Sequence, residues 1–250
     1  MSRRRIAKPF RVFLLLVPAL FLTGCSKVSS LGFPEGVTSV NDQSLSLWQG
    51  FWITAGVVGV FTLILILWPA VFHRGKKDGP EFPKQSQYNV PVEVAYTLIP
   101  IIITVFLFYF TVQKQNVITE KTTTYAHEIT VKGIQWSWQF GYPEAGAKAL
   151  VTGTPAQTPV LTVPLGERVR YTITSNDVIH GFWIPAFMIQ IQNLPGVTNS
   201  LEFTANKLGE FPGRCNILCG RNHSQMLFKV KVVTPAQYNA YLETLKGSPA

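Results

Sequence analysis

The chain has 250 residues, of which 47% are hydrophobic and 14% charged, with a net charge of +9. An ordinary soluble domain carries roughly 25% charged residues, so this composition argues against a simple soluble globule and for a membrane protein. Length alone allows one or two domains.

Residues 1–24 read as a secretory signal. A basic start, MSRRRIAKPFR, leads into an apolar stretch too short to span a bilayer, followed by small residues before a cysteine. The ending Leu22-Thr23-Gly24-Cys25 resembles a bacterial lipobox, in which processing leaves Cys25 as a lipid-modified mature N-terminus. A plain signal or anchor helix with an incidental cysteine is the alternative. Residues 25–47 are then an exported segment. Two longer apolar runs follow, 48–72 and 92–113, each long enough to span at about 20 residues per crossing. The loop between them, 73–91, holds Arg74, Lys76, Lys77 and Lys84. Positive loops stay in the cytoplasm, so both ends of this transmembrane hairpin are expected outside.

From about Thr119 the pattern changes to short β-rich pieces separated by Gly, Pro and Asn. These are 127-HEITVKGIQWSWQF-140, 159-PVLTVPLGERVRYTITSND-177, 199-NSLEFTA-205 and 226-MLFKVKVV-233. Val169, Tyr171 and Ile173 alternate with Arg168, Arg170 and Thr172, the period of a half-buried strand. Residues 119–235 are expected to form an all-β sandwich or barrel. Residues 236–250 supply a C-terminal helix, announced by Pro235, and a tail.

The chemistry is concentrated in 213-GRCNILCGRNHSQM-226, with the spacing Cys215-x3-Cys219-x3-His223-x2-Met226. Thiolates, imidazole and thioether suit copper, zinc or an iron–sulfur centre. A disulfide in an oxidising compartment would close a very small loop and leave His223 and Met226 unexplained. Structural zinc takes two Cys and two His and has no need of Met. His180, in 176-NDVIHGFWIPAF-187, offers a second imidazole upstream. An early His followed by a late Cys–His–Met loop on a β-sandwich is the cupredoxin arrangement, and a second Cys points to two coppers.

With these residues in view, nearly the whole chain resembles subunit II of bacterial haem–copper cytochrome c oxidases. The resemblance rests on C-x3-C-G-x2-H-x2-M, DVIHGFWIP, GIQWSWQF and the hairpin carrying Glu93-x2-Tyr96-Thr97-x2-Pro100. It implies a cupredoxin-like Greek-key domain outside the plasma membrane and a binuclear copper (CuA) centre. Cys215 and Cys219 would bridge the coppers, His180 and His223 would bind one each, Met226 would be a weak ligand, and the Ile217 backbone carbonyl would complete the set. It further implies oxidase subunits I and III as partners, with haems and CuB confined to subunit I. Cytochrome c or another periplasmic redox protein would be the donor, and no nucleic acid is expected. Trp136 matches the surface aromatic through which electrons arrive, with Trp138 competing for the role. Glu93 matches a position lining a proton-uptake route, although near the interface it also has a plainly solvated reading.

Two departures stand out. The family places Glu where Ile217 stands, and that side chain serves a magnesium or manganese ion shared with subunit I; isoleucine cannot, so that ion is not expected here. From Glu120 onward the chain has eleven Lys plus Arg against eight Asp plus Glu, a poor surface for steering a basic donor; an acidic donor, a tethered donor or an acidic periplasm would each fit. A quinol-oxidase subunit II would share the lipobox, hairpin and sandwich but lack the copper ligands. A non-oxidase copper protein of the nitrous-oxide reductase kind would not bring two spans. Growth with labelled palmitate is expected to mark the protein, and Cys25→Ser to abolish labelling. The variant should stay in the membrane, because one acyl chain adds only marginal binding beside two spans. Label retained in Cys25→Ser would refute the lipobox.

Overall fold

The structure is a computed structural model describing residues 30, 32–73 and 85–246. Cys25, the signal segment, and Arg74, Lys76, Lys77 and Lys84 lie outside the described residues.

Helices α1 (Asn41–Phe72) and α2 (Val90–Ile118) pack against each other. Both exceed the apolar runs 48–72 and 92–113. At 1.5 Å per residue the 32 residues of α1 rise about 48 Å, well beyond a hydrocarbon core of about 30 Å. The added turns at its start belong to the β-sandwich domain. Asn41 and Leu45 are buried there, the Asn41 backbone N–H donates to Thr38 Oγ1 at 3.0 Å, and its side-chain amide donates to Ala186 O at 3.4 Å. Lys114 Nζ donates to Gln43 Oε1 at 2.8 Å, tying the two helices at this level.

The intervening helix surfaces are exposed and apolar, including Val57, Phe61, Ile64, Ile102 and Phe106. Aromatic pairs mark both ends of α1, Trp48 with Trp52 and Trp68 with Phe72. Trp48 and Trp68 stand about 30 Å apart along the axis, the spacing of two bilayer interfaces. Inside the spans the hydroxyls of Thr54, Thr62, Thr97, Thr104 and Thr111 each return to the carbonyl four residues back. Hydrocarbon offers these groups no water, so the helix backbone satisfies them.

Among the described residues ten strands form two sheets. One runs β3 (Leu150–Thr152), β2 (Ser137–Gly141), β1 (His127–Ile134), β5 (Arg168–Ser175), β8 (Asn199–Thr204). The other runs β4 (Val160–Pro164), β10 (Leu227–Val233), β9 (Gly209–Cys215), β6 (His180–Ile184), β7 (Ile189–Asn193). The pairs β1–β5 and β4–β10 are parallel; the others are antiparallel. Helix α3 (Pro235–Lys246) packs near β4, burying Tyr238 and Leu242. Aromatic rings fill the space between the sheets. Phe182 stacks on Phe228 at 4.8 Å, Trp138 meets both edge-on, and Tyr171 stacks on Phe203 at 4.4 Å.

Segment 127–140 is a hairpin of two strands, with Gln135 and Trp136 at its tip through a cis peptide. Trp136 and Trp138 therefore do not share a strand face, although they stand two residues apart. The cysteine loop lies between β8 and β10, and β9 leads into it. The β9 sequence GEFPGRC holds Pro and two Gly, residues depleted in strands; pairing to β10 on one side and β6 on the other forms it instead.

The α2-to-β1 linker is clamped to the sandwich. The inward face of β5 buries Val169, Tyr171 and Ile173, while Arg168 and Arg170 on its other face hold the fully buried Glu202 carboxylate at 2.9 and 2.6 Å. Glu202 also accepts from the N–H and hydroxyl of Thr122. Arg168 and Arg170 continue to the carbonyls of Glu120 and Thr122, and Arg170 lies 4.0 Å over the Tyr125 ring. Burial pushes the Glu202 carboxyl up, but the Thr122 N–H, Arg170 and Arg168 outweigh it and hold its pKa at about 2. A lowered folded-state pKa means stability that is fully present above the ordinary value near 4.5 and is lost as pH falls toward 2. Glu202→Gln is expected to destabilise by roughly 3 kcal/mol at neutral pH, the low end for breaking a buried pair because the arginines are partly exposed. Acid titration of both proteins should show the variant losing less stability between those pH values; parallel curves would remove the clamp's role.

Candidate metal centre

Four elements deliver the soft side chains to one point. Cys215 ends β9 and pairs with Phe182 of β6. His180 begins β6 two residues earlier, on the same inward face, and is fully buried. Cys215 N–H donates to Met226 O at 3.0 Å, so the loop 216–225 is closed at its neck by the first residues of the β9–β10 hairpin. Within it a single 3₁₀ turn, His223–Gln225, aims His223 back at Cys219.

The Cys215 and Cys219 sulfurs lie 3.8 Å apart as free, buried thiols. Cys215 Sγ is 3.2 Å from the Ile217 carbonyl oxygen. Cys219 Sγ is 3.5 Å from His223 Nδ1 and 3.7 Å from Met226 Sδ. Ligand atoms of His180, Cys215 and Cys219 all fall within 4.8 Å of one another. The structure thus gathers every residue that the sequence singled out for the metal.

Electrostatics makes the pocket incomplete by itself. Burial raises the Cys215 thiol, yet His180 and the Gly181 and Ile217 backbone bring it down to about 6. Cys219 is pushed up to about 12 by burial and by the charge of Cys215. The pair accepts one negative charge and resists a second. His180 Nε2 bonds Asp177 Oδ1 at 2.8 Å, while its buried Nδ1 has no hydrogen-bond partner. A second thiolate and an orphaned imidazole nitrogen are what a cationic metal would satisfy, so these residues fit copper.

The supporting residues were less visible. Asp177 orients His180 and also accepts the Gln135 N–H at 2.7 Å; a carboxylate three positions before the histidine was the only available signal. Trp136 Nε1 and Gln135 Nε2 both donate to the Cys219 carbonyl, at 3.1 and 2.8 Å, and nothing local announces Gln135. Gly220 has φ +118°, and a Cβ there would stand 3.1 Å from Trp136 Nε1. A Cβ at Gly133 would stand 2.7 Å from the His180 ring. Each glycine admits an aromatic ring to the backbone. Trp138 is completely buried beside His180, its centroid 6.2 Å away. Ile217 is half-buried and has no oxygen to offer beyond its carbonyl. Glu93 sits apart, in the first turn of α2, where Oε1 accepts the Asn89 N–H at 3.0 Å. About 38 Å of helix separates it from the β-sandwich domain.

A two-helix membrane hairpin bearing a β-sandwich with a Cys–His–Met cluster defines a membrane-anchored cupredoxin-like protein. The family described as cytochrome C oxidase subunit II, periplasmic domain, matches residues 128–233. The probable cytochrome c oxidase subunit 2 of Streptomyces avermitilis is 37% identical, covering 97% of this chain and 87% of its own. The cytochrome c oxidase subunit 2 of Mycobacterium tuberculosis is 33% identical, covering 90% and 78%. Among solved structures, the periplasmic domain of subunit II of the Bradyrhizobium japonicum cytochrome oxidase is 31% identical, covering 50% of this chain and 97% of that one at a TM-score of 0.46. The chain belongs to the cytochrome c oxidase subunit II family, and is therefore a membrane subunit of an oxidase.

The two tryptophans separate experimentally. Trp138→Ala is expected to cost about 3–5 kcal/mol, as for a truncated core aromatic. Trp136→Phe keeps a ring and loses one hydrogen bond, about 1 kcal/mol. Thermal or denaturant unfolding measures both, and equal losses would contradict the placement.

Proposed function

We propose that this subunit holds a binuclear copper centre that receives electrons from a c-type cytochrome and passes them to the haem–copper subunit I, where O2 is reduced to water with proton translocation. The observation that carries the reading is the convergence of two thiols, two imidazoles, a thioether and the Ile217 carbonyl on one buried point, with His180 Nδ1 unpartnered. Cys215 and Cys219 would bridge the coppers; His180, His223, Met226 and the Ile217 carbonyl would complete the ligands. When bound, such a centre supplies one-electron exchange with little change of geometry.

The chain's own contribution is to hold these groups still. Asp177 fixes the His180 ring, the β9–β10 neck fixes Cys215 and Met226, and Trp138 with Phe228 fills the space behind them. Preorganisation on rigid elements is what such a site requires. Trp136 is half-buried and bonded directly to the Cys219 carbonyl, which supports it as the residue through which electrons arrive. The basic inter-helix loop supports an out-in-out hairpin in a bacterial plasma membrane, with the sandwich on the outer side. The family resemblance alone supports Glu93 in proton uptake, and Ile217 removes the reason to expect magnesium or manganese.

Purified protein is expected to contain two coppers and to be purple when oxidised. Cys215→Ser or Cys219→Ser should abolish the binuclear signal, and His180→Asn should alter the spectrum while leaving the protein folded. A protein that takes up one zinc and stays colourless would overturn the proposal.

A further inference from the structure

The hairpin tip, the 176–179 loop and the cysteine loop meet at the surface over the sulfur cluster. Gln135 N–H is bonded to Asp177, and Gln135 and Trp136 are bonded to Cys219 O. Next to Asp177, Val178 and Ile179 are 38% and 45% exposed. Next to Gly220, where a Cβ would stand 3.1 Å from Trp136 Nε1, Arg221 is exposed and has no carboxylate partner among the described residues. This mouth combines an apolar ledge with the cation of Arg221.

Where the negative charges lie decides what can dock. Of the eight carboxylates from Glu120 onward, Glu144 and Glu167 grip His127 from both sides at 2.8 Å, and Glu128 bonds Thr172 beside them. That cluster is at the far end of β1, about 23 Å from the tip at 3.3 Å per residue. Glu202 is buried under Arg168 and Arg170, and Glu120 lies in the linker just after α2. Glu210 faces Lys229 at the start of β9, roughly 17 Å along the strand from Cys215. Glu243 pairs with Lys246 on α3. Asp177 alone is at the mouth, and its oxygens are committed to His180, Gln135 N–H and Val178 N–H. Among the described residues no other carboxylate lies at the mouth, and the Asp177 charge is spread over these three hydrogen bonds.

Building on the proposed role of Trp136, we propose that the surface framed by Trp136, Val178, Ile179 and Arg221 docks a haem protein whose contact rim is acidic. Arg221 meets a carboxylate of that rim and disfavours strongly basic donors. The apolar ledge supplies contact close to the indole, while the cation sets which partner approaches fast, since charge complementarity acts mainly on association rate.

The test uses the whole detergent-solubilised oxidase and one basic c-type cytochrome in two forms, native and with its lysines succinylated. At 10 mM ionic strength, where the Debye length is about 30 Å, the succinylated form is expected to reduce the wild-type oxidase at least about threefold faster than the native form, through steering. Its rate should fall with added salt, while the native form's stays flat or rises. Arg221→Glu should reverse the preference with copper content unchanged. A native cytochrome that reacts faster with wild type and slows steeply in salt would overturn the proposal, as would an Arg221→Glu oxidase with unaltered preference. If copper is present and reduced under either outcome, only the docking inference fails; an oxidase whose subunit II lacks copper fails the functional reading as well.

Discussion

Two thiols buried 3.8 Å apart set the constraint around which the β-sandwich domain is organised. One of them ionises readily because His180 and nearby backbone groups stabilise its charge; the other is held neutral by that same charge and by burial. Only a cation lets both be thiolates. A fold that keeps such a pair dry and close, with an imidazole nitrogen left unbonded beside it, carries a cost that a bound metal would offset.

The surrounding structure keeps that pair from relaxing. β6 and β9 lie side by side, so His180 and Cys215 are placed by ladder register rather than by loop conformation. The β9–β10 neck then brings Met226 back to Cys215. Trp138 and the stacked Phe182 and Phe228 occupy the volume into which the ligands could otherwise collapse. Asp177 joins the back of His180 to the hairpin tip, and the tip is bonded to Cys219. The sulfur and imidazole side chains, their support and the surface tryptophan thus form one connected network, with outer hydrogen bonds orienting the inner groups.

A second network fixes this domain on its membrane hairpin. Glu202, Arg168 and Arg170 hold the linker from one side, and the first turn of α1 enters the domain through Asn41 from the other. The two helices therefore connect to the sandwich through buried polar contacts rather than a free tether. For a subunit of an oxidase, whose redox partners must meet at fixed distances, this rigidity suits the task.

Much of this was legible in the chain. Long apolar runs and a basic loop dictate a hairpin because hydrocarbon excludes unpaired backbone and charge. Alternation at 168–173 dictates a strand with one buried face. The Cys215-x3-Cys219-x3-His223-x2-Met226 spacing and distant His180 pointed to a soft donor set, since residue type sets metal preference, and the fold brings these side chains together. What remained hidden depends on contacts between segments far apart in sequence. β9 is a strand although Pro212 and its glycines oppose it, because partners on both sides supply its hydrogen bonds. Trp136 and Trp138 look equivalent two residues apart, and only the turn between β1 and β2 sends one to the surface and the other into the core. Gln135, Asp177 and Glu202 carry no pattern of their own; each has partners between 32 and 84 residues away, so only the packed sandwich assigns them.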